Sequence, residues 1–271
     1  VLINLKKKKK LFLVIILVIA GLVLLQRLNT SVNVSSGPGE VFVKRVVDGD
    51  TIETSGGVFI RYIGIDTPET RRRVGSEFVW DPKPYAEEAA EFNRQLVEKK
   101  RVRLEYDIER YDKYKRTLAY VFVDDTFVNA ELVKAGLGLV YTFPPNVKYT
   151  DELIVLQQKA RLAGRGMWQG MKGEVLSPEQ AGSFIGEIKI VEGRILSTYK
   201  SPKVTFLNFG EDYKTDFTAV IFNNNLASFA RKGIDPVRDY RGKQVRVYGR
   251  IKEYGGPEIV LDNPGQIEIV E

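Results

Sequence analysis

The chain has 271 residues, with 41 lysines and arginines against 35 aspartates and glutamates, and contains neither cysteine nor histidine. Without cysteine there are no disulfides and no thiolate metal sites. Without histidine there is no zinc site of the usual kind, and no histidine pair to cleave RNA through its 2′-hydroxyl.

The length suits two modest domains, each large enough to bury a core. The basic excess is local. Residues 1–40 hold six basic side chains and one acid, which leaves 35 against 34 for the remainder. The pI of about 9.2 therefore reports the N-terminus and does not by itself argue for nucleic-acid binding. Lys6 to Lys10 precede an uninterrupted apolar run from Leu11 to Leu25. A basic stretch followed by an apolar one marks export, with the lysines staying inside. Fifteen helical residues span about 22 Å, short of a ~30 Å hydrocarbon core, yet no Ala-x-Ala cleavage site follows. Residues 1–25 thus read equally as a cleaved signal peptide or a retained membrane anchor, and residues 26–40, rich in Asn, Ser, Thr and Gly, as a flexible tether.

From Val41 the pattern changes to period-2 alternation (Val41/Val43, Ile52/Thr54, Val58/Ile60), which predicts three strands with a turn at Ser55-Gly56-Gly57. Asp48, Asp50, Asp66, Glu69 and Arg61 fall within this stretch. A hairpin that brings Asp50 and Asp66 to one rim would offer oxygen ligands to a hard cation such as Ca²⁺. Arg71-Arg72-Arg73 and a loop with Trp80, Pro82 and Pro84 follow; the arginines read either as a phosphate track or as a solvated loop. Residues 85–99 predict an amphipathic helix with Ala89, Phe92, Leu96 and Val97 on its apolar stripe. Strands are expected near 101–109 and 117–123, a turn at Asp124-Asp125, and helices at 129–136 and 151–163.

This order, three strands, a helix, two strands and further helices, is that of a small OB-type barrel with helical additions, a mainly β protein of the α+β class. Residues 171–183 lose periodicity and read as a linker. Strands at 187–197, 203–209 and 216–222, a helix near 225–232, and strands at 243–253 and 257–269 then repeat the order. The expected division is 41–170, a linker at 171–183, and 184–271 as a second OB-like β-barrel. The second half carries aromatics at Tyr199, Phe206, Phe209, Tyr213, Phe217, Phe222, Tyr248 and Tyr254. Stacking of bases on such rings is one reading and barrel core is the other. Its 14 basic and 14 acidic side chains over 171–271 provide no net pull on a polyanion.

Two separated motifs carry a resemblance. Asp48-Gly49-Asp50-Thr51, Arg61 on a following strand, and Asp66-Thr67-Pro68-Glu69 form the first; Tyr111-Asp112-Lys113-Tyr114-Lys115-Arg116-Thr117-Leu118-Ala119-Tyr120 forms the second. Together they resemble the thermonuclease (staphylococcal nuclease) family over residues 41–169. The second half looks like an OB-fold nucleic-acid-binding module.

The resemblance implies an exported, Ca²⁺-dependent, sugar-nonspecific nuclease acting on DNA and RNA. Such an enzyme would break the P–O5′ bond by attack of water and leave 3′-phosphates. It implies that Asp50, Asp66 and the backbone carbonyl of Thr67 ligate the metal, with Glu69 reaching it through water and Asp48 shaping the pocket. Glu69, Arg61 and Arg116 would be catalytic, the arginines gripping the phosphate with their planar forks. Lys113, Tyr114 and Tyr141 would line the nucleotide pocket; Phe143 stands where the family carries a second tyrosine. The expected protein is a monomer, held at a membrane by residues 11–25 if these are retained, in the cell envelope, periplasm or outside the cell. A catalytically silent scaffold with the same fold, binding nucleic acid or protein, is the alternative.

Overall fold

The computed structural model describes residues 39–270 apart from 170, 172, 173 and 213; the segment 1–25 expected to mark export, nearly all of the expected tether, and Tyr213 lie outside the described residues. Three strands open the fold: β1 (Glu40–Asp48), β2 (Thr51–Thr54) and β3 (Phe59–Tyr62). Short β4 (Ile65–Asp66) precedes a hairpin of β5 (Arg71–Val74) and β6 (Glu77–Trp80). Helix α1 (Ala86–Val97) leads to β7 (Arg101–Glu105), β8 (Thr117–Val123) and β9 (Thr126–Phe127). Helix α2 (Val128–Lys134), β10 (Leu139–Val140) and α3 (Thr150–Leu162) complete the first half.

The sheet order β3-β2-β1-β7-β8 closes on itself through a parallel pairing of β3 with β8. Two register shifts in the β1–β2 ladder bend β1 so that it pairs with β2 on one side and β7 on the other. The alternation read from the sequence becomes a barrel interior of Val43, Ile52, Ile60, Val102, Leu104, Ala119 and Val121. Helix α1 buries Ala86, Ala89, Ala90 and Val97; Phe92 and Leu96 of the expected stripe are half-buried. It begins one residue past Tyr85, whose φ of 67° turns the chain sharply after Pro84. The expected strand 101–109 ends at Glu105, and the Arg71–Trp80 stretch, read as a loop, is a hairpin.

The second half is built on β11 (Val175–Leu176), β12 (Ile188–Arg194), β13 (Ser197–Lys200), β14 (Val204–Asn208) and β15 (Thr218–Phe222). Short helices α4 (Leu226–Ala230) and α5 (Pro236–Asp239) follow, then β16 (Gln244–Glu253), β17 (Pro257–Val260) and β18 (Ile267–Ile269). These strands form one sheet, β11-β12-β16-β17-β15-β14-β13, with β18 also on β16. It curls around its own core, which includes Val191, Leu207, Phe217, Ala219, Phe229, Val247 and Ile259. Of the aromatics noted in the sequence, Phe209, Phe217 and Tyr248 are core, whereas Tyr199, Phe222 and Tyr254 are exposed.

Residues 175–183 of the expected linker, 171–183, are structured. Val175–Leu176 adds a parallel strand to β12, and Ser177 and Gln180 cap a 3₁₀ turn over Pro178–Phe184 with reciprocal hydrogen bonds. The two halves also share a third apolar cluster. Leu139, Ala160, Met167 and Trp168 from the first meet Ile190 and Tyr248 from the second. The Trp168 and Tyr248 rings meet edge to face at 5.5 Å, and Arg161 lies over Tyr248 at 4.7 Å while donating to both oxygens of Glu268. Gly265 sits so near helix α3 that a Cβ there would come within 2.6 Å of Ile154 Cγ2. Residues 40–271 accordingly form one compact unit.

Trp168 is the largest fully buried side chain. Trp168→Ala should destabilise the protein by about 3–5 kcal/mol, the usual range for an aromatic-to-alanine cavity. Denaturant unfolding should show the loss in both halves together; a second half that melts unchanged would contradict a shared interface.

Candidate active site

The Asp48–Asp50 turn is drawn tightly into the barrel rim. A Cβ on Gly49 would lie 2.6 Å from Thr67 Oγ1 and 2.8 Å from Ala89 Cβ, so only glycine fits between them. The Asp50 N–H donates to Asp48 Oδ1 (3.1 Å), and Asn93 of α1 donates from Nδ2 to the Asp48 carbonyl (3.2 Å). Asn93 Oδ1 in turn accepts from the Tyr62 hydroxyl (2.9 Å). A buried amide thus fixes the turn to both helix and strand, which a sequence pattern of apolar stripes does not reveal.

Asp50 is buried, and its Oδ2 accepts from the Thr67 N–H (2.8 Å) and hydroxyl (3.1 Å). Arg61 on β3 lies between the two central carboxylates, with Nε 3.2 Å from Asp50 Oδ1 and Nη2 2.9 Å from Asp66 Oδ1. Its Nη1 donates to the carbonyls of Tyr62 (2.8 Å) and Ile65 (2.7 Å). The guanidinium is therefore oriented by two backbone carbonyls and joins Asp50 to Asp66.

Burial pushes the Asp50 carboxyl up to about 7, against the pull of Arg61 and with the help of the Asp48 and Asp66 charges. Asp48 is raised as well, first by burial. Glu69 stands exposed on the rim and is raised by the protein crowding one side of it and by the charges of Asp50 and Asp66. Carboxylates that repel one another this way, with oxygen as the only donor type, fit a hard divalent cation. Among the described residues, no three carboxylates converge as a complete ligand cage, so a cation here would keep much of its water.

Beside Arg61 opens a cleft of about 410 Å³, lined by Gly64, Ile65, Lys113, Tyr114, Arg116, Tyr141 and Phe143 among others. Asp112 builds its far wall. The Asp112 carboxylate accepts from the N–H groups of Tyr114 and Arg116 (2.9 Å each) and from Arg116 Nε (2.7 Å). Lys115 adopts a left-handed φ of 64° to close this loop. Arg116 is thereby gripped at Nε, while its two Nη groups have no acceptor among the described residues. Tyr141 and Phe143 lie near-parallel with centroids 6.5 Å apart, and Lys113 sits 5.0 Å from the Tyr114 ring.

The structure thus brings Asp48, Asp50, Arg61, Asp66, Thr67 and Glu69 together on one rim, with Lys113, Tyr114, Arg116 and Tyr141 around the adjoining cleft. A family model described as "Staphylococcal nuclease homologue" matches residues 59–170. The thermonuclease of Staphylococcus intermedius is 40% identical over 130 residues, covering 47% of this chain and 74% of that protein. This chain belongs to the staphylococcal nuclease family. It is also 40% identical over 134 residues to the SPbeta prophage-derived endonuclease YokF of Bacillus subtilis, covering 44% of that protein. Endonuclease YncB of the same organism is 38% identical over 133 residues and is covered over 61% of its length. The chain is a nuclease, and nucleic acid is its substrate.

Two charged side chains from beyond the family match act on residues of this rim and cleft. Arg250 of β16 donates to the Gly186 carbonyl (2.9 Å) and places Nη2 3.8 Å from Asp66 Oδ2. Asp262 is buried, accepts from Asn225 Nδ2 (3.2 Å), and is pushed up to about 7 by burial; its charge helps to raise Tyr141. Neither had a local sequence signal, since the contact depends on how the second sheet docks. Asp112 was within reach of sequence reasoning, because an aspartate four positions before an arginine in a tight loop can hold its Nε.

Asp112→Ala should leave the fold intact and lower turnover on the order of 10²-fold, the scale expected when a binding group is misplaced by about 1 Å. Steady-state kinetics on DNA with a parallel melt would check this. An unchanged turnover would remove Asp112 as the residue that positions Arg116.

Proposed function

We propose that the chain is an exported, calcium-dependent, sugar-nonspecific nuclease that cuts DNA and RNA at the P–O5′ bond and leaves 3′-phosphates. The observation that carries the reading is the pair of arginines. Arg61 is locked between Asp50 and Asp66, while Arg116 is anchored by Asp112 with its fork open to the same cleft.

A phosphodiester resists attack because it is anionic and its leaving alkoxide is poor. Asp50, Asp66 and the Thr67 carbonyl would hold the calcium ion, which when bound supplies positive charge opposite a phosphate oxygen. Arg116 would bind a non-bridging oxygen through its two free Nη groups, and Arg61 would meet the charge that builds up as the fifth oxygen joins phosphorus. Glu69 on the rim would take the proton of the attacking water as the new P–O bond forms and the bond to O5′ breaks. Burial and the charges of Asp50 and Asp66 raise its pKa, which makes the carboxylate a stronger proton acceptor. Tyr141 and Phe143 present flat rings to a sugar or base, and a phenyl at 143 offers no hydroxyl to a terminal phosphate. Lysines 6–10 and the apolar run 11–25 support export, where calcium is plentiful, and support a membrane tether if that segment is retained. The monomer is the simplest form consistent with a site built within one chain.

Hydrolysis of DNA in calcium and in excess chelator, with Arg116→Lys and Arg116→Ala beside the wild type, tests the reading. A surface ion pair needs only charge, so lysine would serve. A bidentate clamp needs two parallel N–H groups, which an ammonium does not provide. Both variants should fold, and both should turn over about 10²-fold more slowly or worse. Activity should vanish in chelator. Full activity in chelator would refute the calcium requirement, and near-normal turnover of the lysine variant would refute the clamp.

A further inference from the structure

The β5–β6 hairpin is unlike the rest of the molecule. It forms a sheet of two strands that pairs with no other among the described residues. A ribbon of this kind has only marginal stability of its own. Yet it holds Phe78 at 69% exposure and Trp80 at 57%, with Val74 and Val79 also in water. Large apolar side chains gathered on a projecting element mark a binding surface.

The register decides which chemistry shares a face. Arg71 pairs with Trp80, Arg72 with Val79, Arg73 with Phe78 and Val74 with Glu77. Alternation therefore puts Trp80, Phe78 and Arg71 on one side, and Arg72, Val79 and Val74 on the other. Directly opposed residues have their Cβ atoms about 5 Å apart, so Arg71 stands beside the indole. Arg72 is tied to Asp81 at 2.9 Å, whereas Arg71 has no acidic partner among the described residues. Strand β5 carries three arginines against the single acid Glu77 of β6.

The hairpin is also rooted in the catalytic rim. The Asp81 N–H donates to the Thr70 carbonyl (3.2 Å) and the Lys83 N–H to the Glu69 carbonyl (3.0 Å). Arg71 is two residues beyond Glu69, roughly 7 Å along an extended chain. A strand leaving the cleavage point on this side meets the hairpin first.

We propose that this hairpin is a binding arm for single-stranded nucleic acid, stacking unpaired bases on Trp80 and Phe78 while Arg71 meets a phosphate. The proposal rests on the assignment of the Asp50–Glu69 rim as the cleavage point. Flat rings beside an arginine suit bases and phosphates better than an acyl chain or an apolar peptide. Stacking is tolerant of sequence because every base has a π-face. It requires unpaired bases, since in a duplex these faces are already covered by their neighbours.

Trp80 offers a direct probe, because the chain has two tryptophans and the other, Trp168, is fully buried. The full chain would be titrated in chelator, where no turnover is expected, with a twelve-residue oligothymidylate and with a twelve-base-pair duplex. Tryptophan emission and the anisotropy of labelled oligonucleotide would be followed together. The single strand should quench emission saturably and the duplex should quench far less. Phe78→Ser combined with Trp80→Ser should weaken single-strand binding by about 10-fold or more. Val79→Ser, on the opposite face, should bind as the wild type does. Equal binding by the double variant and wild type would overturn the proposal, as would an equal loss in Val79→Ser. So would quenching that follows protein concentration rather than oligonucleotide, which would make the face a self-association surface. Cleavage of the same oligothymidylate by the wild type in calcium scores the nuclease reading separately, and either result can fail without the other.

Discussion

The active site depends on one buried guanidinium. Asp50 reaches the rim from the turn between β1 and β2 and Asp66 from β4, and among the described residues Arg61 bridges the two carboxylates, through Nε and Nη2. Bringing those carboxylates together without compensation would leave like charges in a poorly solvated place, which is expensive. Arg61 offsets that repulsion and is itself oriented by the carbonyls of Tyr62 and Ile65. The same chain turn that supplies these carbonyls, residues 62–65, also lines the adjoining cleft. Charge balance and cleft shape are therefore one construction.

The second sheet is part of that construction. Its Arg250 stands 3.8 Å from Asp66, and the charge of its Asp262 adds to the burial that raises Tyr141. Both positions are maintained by the apolar cluster of Trp168, Met167, Ile190 and Tyr248 and by the Arg161–Glu268 pair. The first half carries the motif carboxylates and arginines, and the second half places Arg250 beside Asp66. A second half with no net charge can still matter to a polyanion if single cations are placed at the rim.

Much of this was legible in the sequence, for local reasons. Period-2 alternation in 41–60 and the apolar stripe in 85–99 reflect which faces are buried, and those faces are fixed by neighbours in the chain. The carboxylates and arginines were legible because they sit in short motifs. What escaped depended on distant partners. Residues 175–183 show no periodicity because β11 is two residues long and the 3₁₀ turn that begins at Pro178 is too short to show a repeat. The Arg71–Trp80 hairpin has both faces in water, so no burial pattern marked it. Asn93 and Arg250 act through contacts with Asp48 and Asp66, 45 and 184 positions away, and nothing near either residue announces the partner.

The central claim, that Arg61 serves as a directional clasp rather than a mere positive charge, is tested most directly by the rate of DNA hydrolysis in calcium for Arg61→Lys. Lysine keeps the charge between Asp50 and Asp66 and so should preserve the fold, as a thermal melt beside the assay would record. It offers no fork to span the two carboxylates and the phosphate. Turnover should fall by about 10²-fold or more in a folded protein. Turnover within a few-fold of wild type would contradict the claim.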